Sequence, residues 1–465
     1  MEAEQIRCLR PELGRYLRQF DDCFANSCTR GHLPVYVRGQ LSDLPRKSVE
    51  PIALAEDVAP RTLQEFLSLL EWDERRMRKR VHQLVAGDHA SPHAIGVIDE
   101  TACPNKGDKT PGVQRQYCGA TGKIENCVVT VHLGYAVDDF HCLLASELFL
   151  PKAWADDRER CRQAGIPDDV VYQPKWQIAL ELLDGALANG VRFAWLTFDE
   201  YYGSKPEFLH ELTRRQQLYV AEVPVNFRGW LKAPRLQAVG RRLRVQRRSS
   251  GVADLLRYSP ALRAQPWERF RVKDGAKGPM VWDVKHIRFY PQMEDGDPGR
   301  PGHLIVARNV LKPEEVKYFV SNSPPETRVQ TLLLVAFSRW HVERCFEDEK
   351  MELGFDHYEG RKYKGLIRHQ ALTAVTQLFL ERMRQKWGEK PGTDGLPNTR
   401  SRSGSGAVLV VGAESKQALT GTHCREDHIP TETECKGPEE PYQTNAAEPS
   451  QVGHSTYHLE PLLMG

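Results

Sequence analysis

The chain has 465 residues, 27% of them charged, and a formal net charge of only +2 at pH 7. Since a domain typically holds about 100–200 residues, we expect about three domains. The eleven cysteines include no Cys-x2-Cys pair, the N-terminus lacks an apolar leader segment, and no apolar run approaches about 18 residues. The composition therefore argues against disulfide-stabilised secreted proteins and membrane-spanning proteins, and it favours a cytoplasmic protein with reduced thiols.

Charge is distributed unevenly along the chain. Residues 228–273 contain thirteen Lys and Arg against two acids, a net charge of +11, whereas residues 391–465 contain five against ten acids, a net charge of −5. A basic block of this density suits a nucleic-acid partner. The acidic tail has little hydrophobic periodicity, so we predict that residues 391–465 are disordered and dispensable for catalysis. Within the tail, the apolar run at residues 407–411 is the one stretch that could dock as a strand.

Residues 1–90 have helical periodicity and predict an N-terminal helical domain that binds DNA. Residues 48–58 and 60–67 have the rhythm of a helix-turn-helix, and the basic run at residues 75–80 follows. Asp57 stands where a glycine often forms the turn of such a motif. A plain helical hairpin therefore remains an equally open interpretation of this segment.

Strand patterns begin near residue 91 and predict a sheet-based core over residues 91–225. The predicted elements are, in chain order, strands at residues 95–99, 127–137 and 141–150, a helix at 176–189, a strand ending at Asp199, a helix near 206–216 and a strand at 218–225. In two places an apolar run ends in an acid, namely Asp99 and Asp199. Strand ends are the usual place for metal sites on α/β scaffolds, although a single such Asp is more often a turn or cap residue.

The next segment, residues 226–325, carries the basic block and several strand-like runs, and it predicts a β-rich insertion. A helix is then expected over about residues 326–353, followed by an apolar helix at 367–387, so that residues 326–390 complete the core. The first of these helices carries Arg339, Glu343 and Lys350 at offsets of four and seven residues, which place all three on one helix face. Taken alone, this pattern is more typical of a solvated charged face.

Together these features resemble the DDE transposases of bacterial insertion sequences, in the group with a Tyr-x2-Arg-x3-Glu-x6-Lys signature. Arg339, Glu343 and Lys350 match the signature, whereas Ala336 stands at its Tyr position. Further matches are DET at residues 99–101, GVQRQYCG at 112–119, GSKPEFL at 203–209 and LGFDHYEGR at 353–361. The resemblance covers roughly residues 40–385.

The resemblance implies an α/β fold with an RNase H-like mixed-sheet catalytic core, an N-terminal helical domain and a β-rich insertion before the last catalytic helix. It also implies that Asp99, Asp199 and Glu343 are catalytic and hold two Mg²⁺ or Mn²⁺ ions, with Asp99 between the ions. Hard divalent ions prefer carboxylate oxygens, and two of them about 3.5–4 Å apart can serve both sides of a phosphodiester. By the same resemblance, Arg339 and Lys350 would contact phosphates at the transposon ends.

The implied activity is cleavage and strand transfer at transposon ends in cut-and-paste transposition. The implied partners are double-stranded DNA with terminal inverted repeats and target DNA, and the protein would act as a homodimer assembled on DNA, associated with the bacterial nucleoid and not with a membrane. An alternative is a catalytically decayed or repurposed DNA-binding protein of the same fold. The presence of all three acids argues against that alternative.

Two predictions concern side chains outside these motifs. We expect the basic residues of the insertion to line a DNA path next to the acids, namely Arg241, Arg242, Arg247 and Arg248. Trp282 lies in a strand-like run, where a packing role is more typical than stacking on an unpaired base. Three strand histidines without acid partners are expected to be structural, namely His132, His141 and His286.

Overall fold

A computed structural model of the chain describes residues 3–239, 242–275, 278–388 and 409–410. The helices within these ranges are α1 (Ala3–Leu17), α2 (Ser27–Arg30), α3 (His32–Leu41), α4 (Val49–Ala55), α5 (Pro60–Ser68), α6 (Glu74–Asp88), α7 (Lys152–Ala155), α8 (Arg158–Ala164), α9 (Lys175–Ala188), α10 (Glu200–Gly203), α11 (Pro206–Arg214), α12 (Val252–Tyr258), α13 (Pro260–Ala264), α14 (Val329–Ala336), α15 (Trp340–Leu353) and α16 (Tyr363–Gly388). Short 3-10 segments lie at Arg18–Cys23, Phe337–Arg339 and Phe355–His357. None of the described helices is both long and apolar enough to cross a membrane.

The strands are β1 (Ile95–Pro104), β2 (Gln114–Cys118), β3 (Lys123–Val137), β4 (Phe140–Leu148), β5 (Trp195–Phe198), β6 (Tyr219–Val223), β7 (Arg228–Trp230), β8 (Leu236–Val239), β9 (Arg242–Val245), β10 (Ser250–Gly251), β11 (Glu268–Gly275), β12 (Gly278–Pro291), β13 (Gly302–Asn309), β14 (Val316–Ser321) and β15 (Leu409–Val410). All but β8 and β9 belong to one sheet of thirteen strands, and those two form a separate hairpin.

The N-terminal region is helical, as its periodicity predicts. In the connection between α4 and α5, Asp57 adopts a left-handed conformation with φ of 54°, which Asp tolerates better than most non-glycine residues. Pro60 begins α5 at the first helical position, where its fixed φ is favourable and its missing N–H costs nothing. The residues predicted as a helix-turn-helix thus form two short helices joined by a tight turn.

The N-terminal helices pack on α16, which is buried along most of its length. The fully buried guanidinium of Arg368 in α16 donates to the carbonyl oxygens of Phe66, Leu67, Leu70 and Trp72. The carbonyls of Phe66 and Leu67 lie in the last turn of α5, where a helix has no internal donors left for them. Those of Leu70 and Trp72 lie in the segment that follows the helix. The apolar residues of both regions share one core cluster, so the first and last described helices fold together.

The central part of the sheet has the order β4-β3-β1-β5-β6. Strands β1, β3 and β4 are antiparallel neighbours, whereas β5 runs parallel to β1, and β6 runs parallel to β5. The fold is mixed α/β and is consistent with an RNase H-like core, which confirms the fold class expected from the sequence. The one strand in this region that the sequence patterns missed is β2, a short addition to the outer side of β3.

The segment predicted as a β-rich insertion is rich in strands, and these strands continue the central sheet. Strand β14 pairs with β6, and β13, β12 and β7 follow in order. Strand β11 pairs with β12 on one side and with β15 on the other. The pairing of β15 involves the apolar run that the sequence singled out as able to dock as a strand. The rest of the tail, residues 391–408 and 411–465, lies outside the described residues.

The long helix predicted over residues 326–353 is interrupted in the structure. Helix α14 ends at Ala336, the 3-10 segment Phe337–Arg339 follows, and α15 begins at Trp340. At this point the hydroxyl of Ser338 donates to the carbonyl oxygen of Leu334 at 2.6 Å, a local bond that competes with regular helix geometry and bends helices. The tighter 3-10 turn sets the direction in which Arg339 leaves the helix.

Candidate active site

Asp99 and Asp199 lie at matching positions on neighbouring parallel strands. The register pairs Ile98 of β1 with Phe198 of β5, so each aspartate follows a paired residue. Strand β5 stops there, whereas β1 continues to Pro104 through its pairing with β3. The apolar run suggested that Asp99 ends its strand. Asp99 instead lies at the point where β1 loses its parallel neighbour β5. Matching ends of parallel strands bring the two carboxyl groups to one edge of the sheet.

Each aspartate has one oxygen engaged by the backbone. Asp199 is the N-cap of α10, and its Oδ1 accepts from the amides of Tyr201 at 3.1 Å and Tyr202 at 3.4 Å. The Oδ1 of Asp99 accepts from the amide of Glu100 at 2.8 Å. These bonds fix the orientation of the carboxyl groups and leave Oδ2 of Asp199 directed towards the helical side of the sheet, where Arg339 lies.

Arg339 links the aspartates to the last acid of the predicted triad. Its Nη1 lies 3.9 Å from Oδ2 of Asp199, and its Nη2 donates to Oε1 of Glu343 at 3.1 Å. The Glu343 side chain is 59% exposed, whereas that of Arg339 is 24% exposed, so the glutamate reaches the site from the solvent side. The structure thus brings Asp199 and Glu343 to one guanidinium, and the charge of the nearby Asp99 acts on the same guanidinium.

The electrostatics of the acid pair point to a shortage of positive charge. Burial raises the pKa of Asp99 to about 7, and the neighbouring carboxylate of Asp199 adds to the shift, although Arg339 opposes it. Burial also raises the pKa of Asp199, against the opposing effects of Arg339 and the amides of α10. Desolvation disfavours the charged form of a carboxyl group, and a second acid nearby disfavours it further. The pair therefore favours an additional cation.

The pKa of Arg339 confirms that its surroundings are acidic. Burial alone would lower this pKa, but the carboxylates around the guanidinium outweigh burial and raise it. The carboxylates responsible are, in order of their effect, Asp99, Glu222, Asp199 and Glu343. Three of them were expected from the sequence. The fourth, Glu222 of β6, was not.

Lys350 lies beside the acids but not on them. Its Nζ donates to the Thr101 hydroxyl at 2.5 Å and lies 3.4 Å from the carbonyl oxygen of Ala102. Thr101 is two residues after Asp99 on β1, and alternation along a strand places both side chains on the same face. A cation is therefore available next to Asp99, and its contact with a phosphate stays a prediction. The Tyr position of the signature, Ala336, is buried at the end of α14.

Acidic neighbours of the two aspartates have different environments. Glu100 forms an ion pair with Lys175, with 2.6 Å between Oε1 and Nζ, and burial raises its pKa. Glu200, directly after Asp199, is exposed. Neither the Lys175 pair nor Glu222 has a spacing motif in the sequence. The signal available for Glu222 was its place in β6, the strand that follows β5 and runs parallel to it. An acid at the matching position of the second parallel strand lies beside the end of the first strand.

Trp282 and His132 are buried and have structural partners. Trp282 is 4% exposed, and its ring centroid lies 5.0 Å from that of Phe337, so it packs in the core and is not available to stack on a base. His132 is fully buried between the hydroxyls of Thr130 and Ser146, at 2.6 and 2.7 Å. Burial lowers the pKa of His132 to about 3, which keeps the ring neutral.

The basic block of the insertion lies beside strands β7 and β10, at one end of the strand order and several strands away from the acids. Residues Arg247 and Arg248 are exposed between β9 and β10, whereas Arg241 and the side chain of Arg242 lie outside the described residues. Strand β10 pairs with β7, and the strands β12, β13, β14 and β6 separate β7 from β5, a distance of about 24 Å at the usual strand spacing. A DNA path along both the block and the acids, as predicted, would extend across this part of the sheet.

Replacement of Arg247 and Arg248 by Gln is expected to weaken DNA binding regardless of sequence. Each lost phosphate contact lowers the slope of log affinity against log salt by about 0.9, so the double variant should lose up to about two units. The measurement is a salt titration of duplex affinity. Arg214→Gln serves as a control, because this exposed arginine at the end of α11 lies towards the other end of the parallel strands. An unchanged slope in the double variant would contradict the predicted DNA path.

The acid cluster has the chemistry of a magnesium or manganese site but is not arranged as a closed ligand set. Over the described ranges, no group of three or more His, Cys, Asp or Glu side chains is close enough to hold a metal ion. The guanidinium of Arg339 lies between Asp199 and Glu343 instead. All the candidate donors are carboxylate oxygens, which hard divalent ions prefer, and the raised pKa values of the aspartates indicate that added positive charge would be stabilised. The residues therefore fit such an ion.

Comparisons with known proteins give three matches of different extent. Among relatives, a probable transposase for the insertion sequence element IS701 from Microchaete diplosiphon is 30% identical over 190 residues. That match covers 40% of this chain and 47% of the relative, so it spans about half of the relative's length. Among solved structures, the NurA nuclease from Sulfolobus solfataricus matches 60% of this chain and 92% of its own at 11% identity, but with a TM-score of only 0.20.

A family profile matches a long, continuous part of the chain. The profile described as DDE superfamily endonuclease matches residues 19–279, which is more than half of the 465 residues. The matched region contains Asp99 and Asp199, whereas Arg339, Glu343 and Lys350 follow it. On the strength of this match, together with the acids gathered at one edge of an RNase H-like sheet, the chain belongs to the DDE superfamily endonucleases.

Proposed function

We propose that this protein is the transposase of a bacterial insertion sequence, which cleaves DNA at the ends of the element and transfers the freed strands in cut-and-paste transposition. The observation that carries the proposal is the placement of Asp99 and Asp199 at matching positions on parallel strands, with Arg339 between Asp199 and Glu343. The name of the IS701 relative supports the same activity. It is a proposal for the whole chain, since the match spans about half of that relative.

The proposed catalytic residues are Asp99, Asp199 and Glu343, which would hold two Mg²⁺ or Mn²⁺ ions. Such ions, when bound, stabilise negative charge at a phosphodiester and lower the pKa of water. The backbone amides that bind one oxygen of each aspartate orient the carboxyl groups for this role. The cationic side chains of Arg339 and Lys350 would neutralise phosphate oxygens of the DNA next to the acids.

The proposed partners are double-stranded DNA carrying terminal inverted repeats and the target DNA. Two ends of one element have to be cut and joined, so we propose that two copies of the protein assemble on the DNA as a homodimer. The basic block would add phosphate contacts away from the acids. A protein of this function acts on chromosomal DNA, so we expect it in the bacterial cytoplasm, associated with the nucleoid.

The test is metal-dependent nicking of a plasmid that carries the inverted repeats flanking the gene. The proposed transposase nicks at the repeat ends in Mg²⁺ or Mn²⁺ and not in a chelator. The alternative, a decayed DNA-binding copy of the fold, binds the same DNA without nicking it under either condition. A plasmid of equal length without the repeats serves as the control for nonspecific cleavage.

Truncation after Lys390 is expected to leave folding and nicking near the level of the full chain. The removed segment has a net charge of −5 and little apolar periodicity, so it would repel DNA and contribute little to a core. Its described part is the two-residue strand β15 at the sheet edge beside β11. The measurements are the thermal unfolding midpoint and the nicking rate. An insoluble or inactive truncated chain, beside an active full chain, would make the tail part of the working fold.

A further inference from the structure

Glu222 continues the row of acids begun by Asp99 and Asp199. Strand β6 runs parallel to β5, and the register pairs Phe198 with Ala221. Glu222 therefore follows its paired residue as Asp199 follows Phe198 and as Asp99 follows Ile98. Three neighbouring parallel strands thus carry an acid at the same position along the strand.

The side chain of Glu222 lies on the same sheet face as the catalytic candidates. Val97 of β1 and Val220 of β6 belong to one core cluster, together with residues of α14 and α15 such as Leu333 and Cys345. Side chains two residues apart point to the same face of a strand. Asp99, two residues after Val97, and Glu222, two residues after Val220, consequently face the helices that flank Arg339.

The surroundings of Glu222 contain two cations. The Nζ of Lys317, on the neighbouring strand β14, lies 2.9 Å from Oε1 of Glu222. The side chain of Glu222 is 19% exposed. The other cation is Arg339, and its pKa is raised by Asp99 and then by Glu222, ahead of Asp199 and Glu343. Glu222 also raises the pKa of Asp199. An acid so placed interacts with the site through charge.

We propose that Glu222 is a positioning residue, whose carboxylate keeps Arg339 beside the scissile phosphate when the other acids hold divalent ions. This inference rests on the proposed function. The guanidinium of Arg339 lies beside the carboxylates of Asp199 and Glu343. Divalent ions bound to those carboxylates would repel the guanidinium. Glu222 lies one strand beyond Asp199 and remains as an anion on the same face.

The physical benefit is a smaller entropic cost of DNA binding. A free arginine side chain loses rotamer freedom when it is fixed against a phosphate. A carboxylate on the same sheet face that attracts the guanidinium would remove part of this cost before a phosphate arrives. The phosphate contact of Arg339 should thus depend on Glu222, and Glu222 should matter only while Arg339 is present.

A double-mutant cycle tests this dependence. The variants are Glu222→Gln, Arg339→Gln and the two combined, and the probe is a short fluorescein-labelled nonspecific duplex in MnCl2, with Kd measured by anisotropy. We expect each single variant to raise Kd by about 3–10-fold and the combined variant to bind no worse than Arg339→Gln alone within about twofold, because the two residues act as one unit. Glu222→Asp, which keeps the charge, should recover part of the loss.

Two controls separate this role from a structural one and from metal binding. Lys317→Gln removes the other partner of Glu222, so an equal loss of DNA affinity in Lys317→Gln, or a loss that multiplies in the combined variant, would overturn the proposal. Isothermal titration with Mn²⁺ should give Glu222→Gln an affinity within about threefold of the unchanged protein. A loss of Mn²⁺ affinity beyond about tenfold would make Glu222 a metal ligand and also overturn the proposal.

Failure of the proposed function has a different signature. It would appear as the absence of metal-dependent nicking by the unchanged chain. Failure of this inference would appear as multiplying losses of DNA affinity in a chain that nicks normally. Thermal unfolding of every variant at one pH completes the set, since a variant with an unchanged midpoint has lost binding for reasons other than folding.

Discussion

Asp99→Asn, Asp199→Asn and Glu343→Gln are each expected to reduce metal-dependent nicking by at least about 10³-fold, the scale on which removal of one member of a catalytic unit acts. Each variant keeps the shape of its side chain and removes the charge that a divalent ion needs. Asp99→Asn and Asp199→Asn also keep the carbonyl oxygen that accepts from the backbone amides, so the local structure should persist.

DNA affinity should stay within about twofold of the unchanged chain or rise slightly, because each substitution removes a negative charge from a surface that approaches phosphates. Nicking is measured on the plasmid with inverted repeats, and affinity is measured on the same ends in a chelator. Glu200→Gln and Glu352→Gln are matched controls, since both acids are exposed, one beside Asp199 and the other in α15. Full nicking by any of the three variants would remove that acid from the catalytic set.

Arg339 is the residue whose role changes most between the sequence and the structure. Its spacing to Glu343 and Lys350 predicts a phosphate contact, whereas the structure shows its guanidinium between two carboxylates. Both roles are compatible if binding of divalent ions and DNA is coupled through this side chain. A ligand that draws Arg339 away from the acids would then strengthen the binding of a cation at the acids, and the reverse holds by reciprocity.

The two aspartates and the order of the core elements could be predicted from the sequence because their signals are local. An apolar run that ends in an acid marks a buried strand that reaches the edge of a sheet. Asp199 follows this pattern, and Asp99 lies where β1 loses its parallel neighbour β5. Glu343 could be predicted from helical spacing, since offsets of four and seven residues require no knowledge of distant contacts. Helix α16 was recognisable for a related reason, its long apolar run.

The features that escaped prediction depend on contacts between distant parts of the chain. Glu222 belongs to the site because β6 runs parallel to β5, and β14 extends the same sheet only because it pairs with β6 across about a hundred residues of sequence. The break at Phe337–Arg339 coincides with a hydroxyl bond from Ser338 to the carbonyl oxygen of Leu334. None of these contacts leaves a periodic pattern in the residues that make it, so a reading of local patterns assigns the insertion to a separate unit.

Asp99→Asn is also expected to stabilise the metal-free protein at pH 8. The folded state raises the pKa of Asp99 from 3.8 to about 7, so the folded state binds a proton that the unfolded state has released between these two values. The free energy of unfolding therefore falls as the pH rises from about 4 to about 7. A shift of about three units corresponds to at most about 4 kcal/mol of lost stability above pH 7.

Asparagine has no charge to desolvate and avoids this loss. Unfolding midpoints measured in a chelator should therefore be higher for Asp99→Asn than for the unchanged chain at pH 8, and the difference should shrink towards pH 4.5, where Asp99 is protonated in the folded state. The exposed Glu200→Gln should change stability by no more than about 0.5 kcal/mol at either pH. Added Mn²⁺ should stabilise the unchanged chain and not Asp99→Asn, because binding to the folded state alone raises its stability. A variant no more stable than the unchanged chain at pH 8 would mean that Arg339 already compensates the charge of Asp99, and the site would have no need of a further cation.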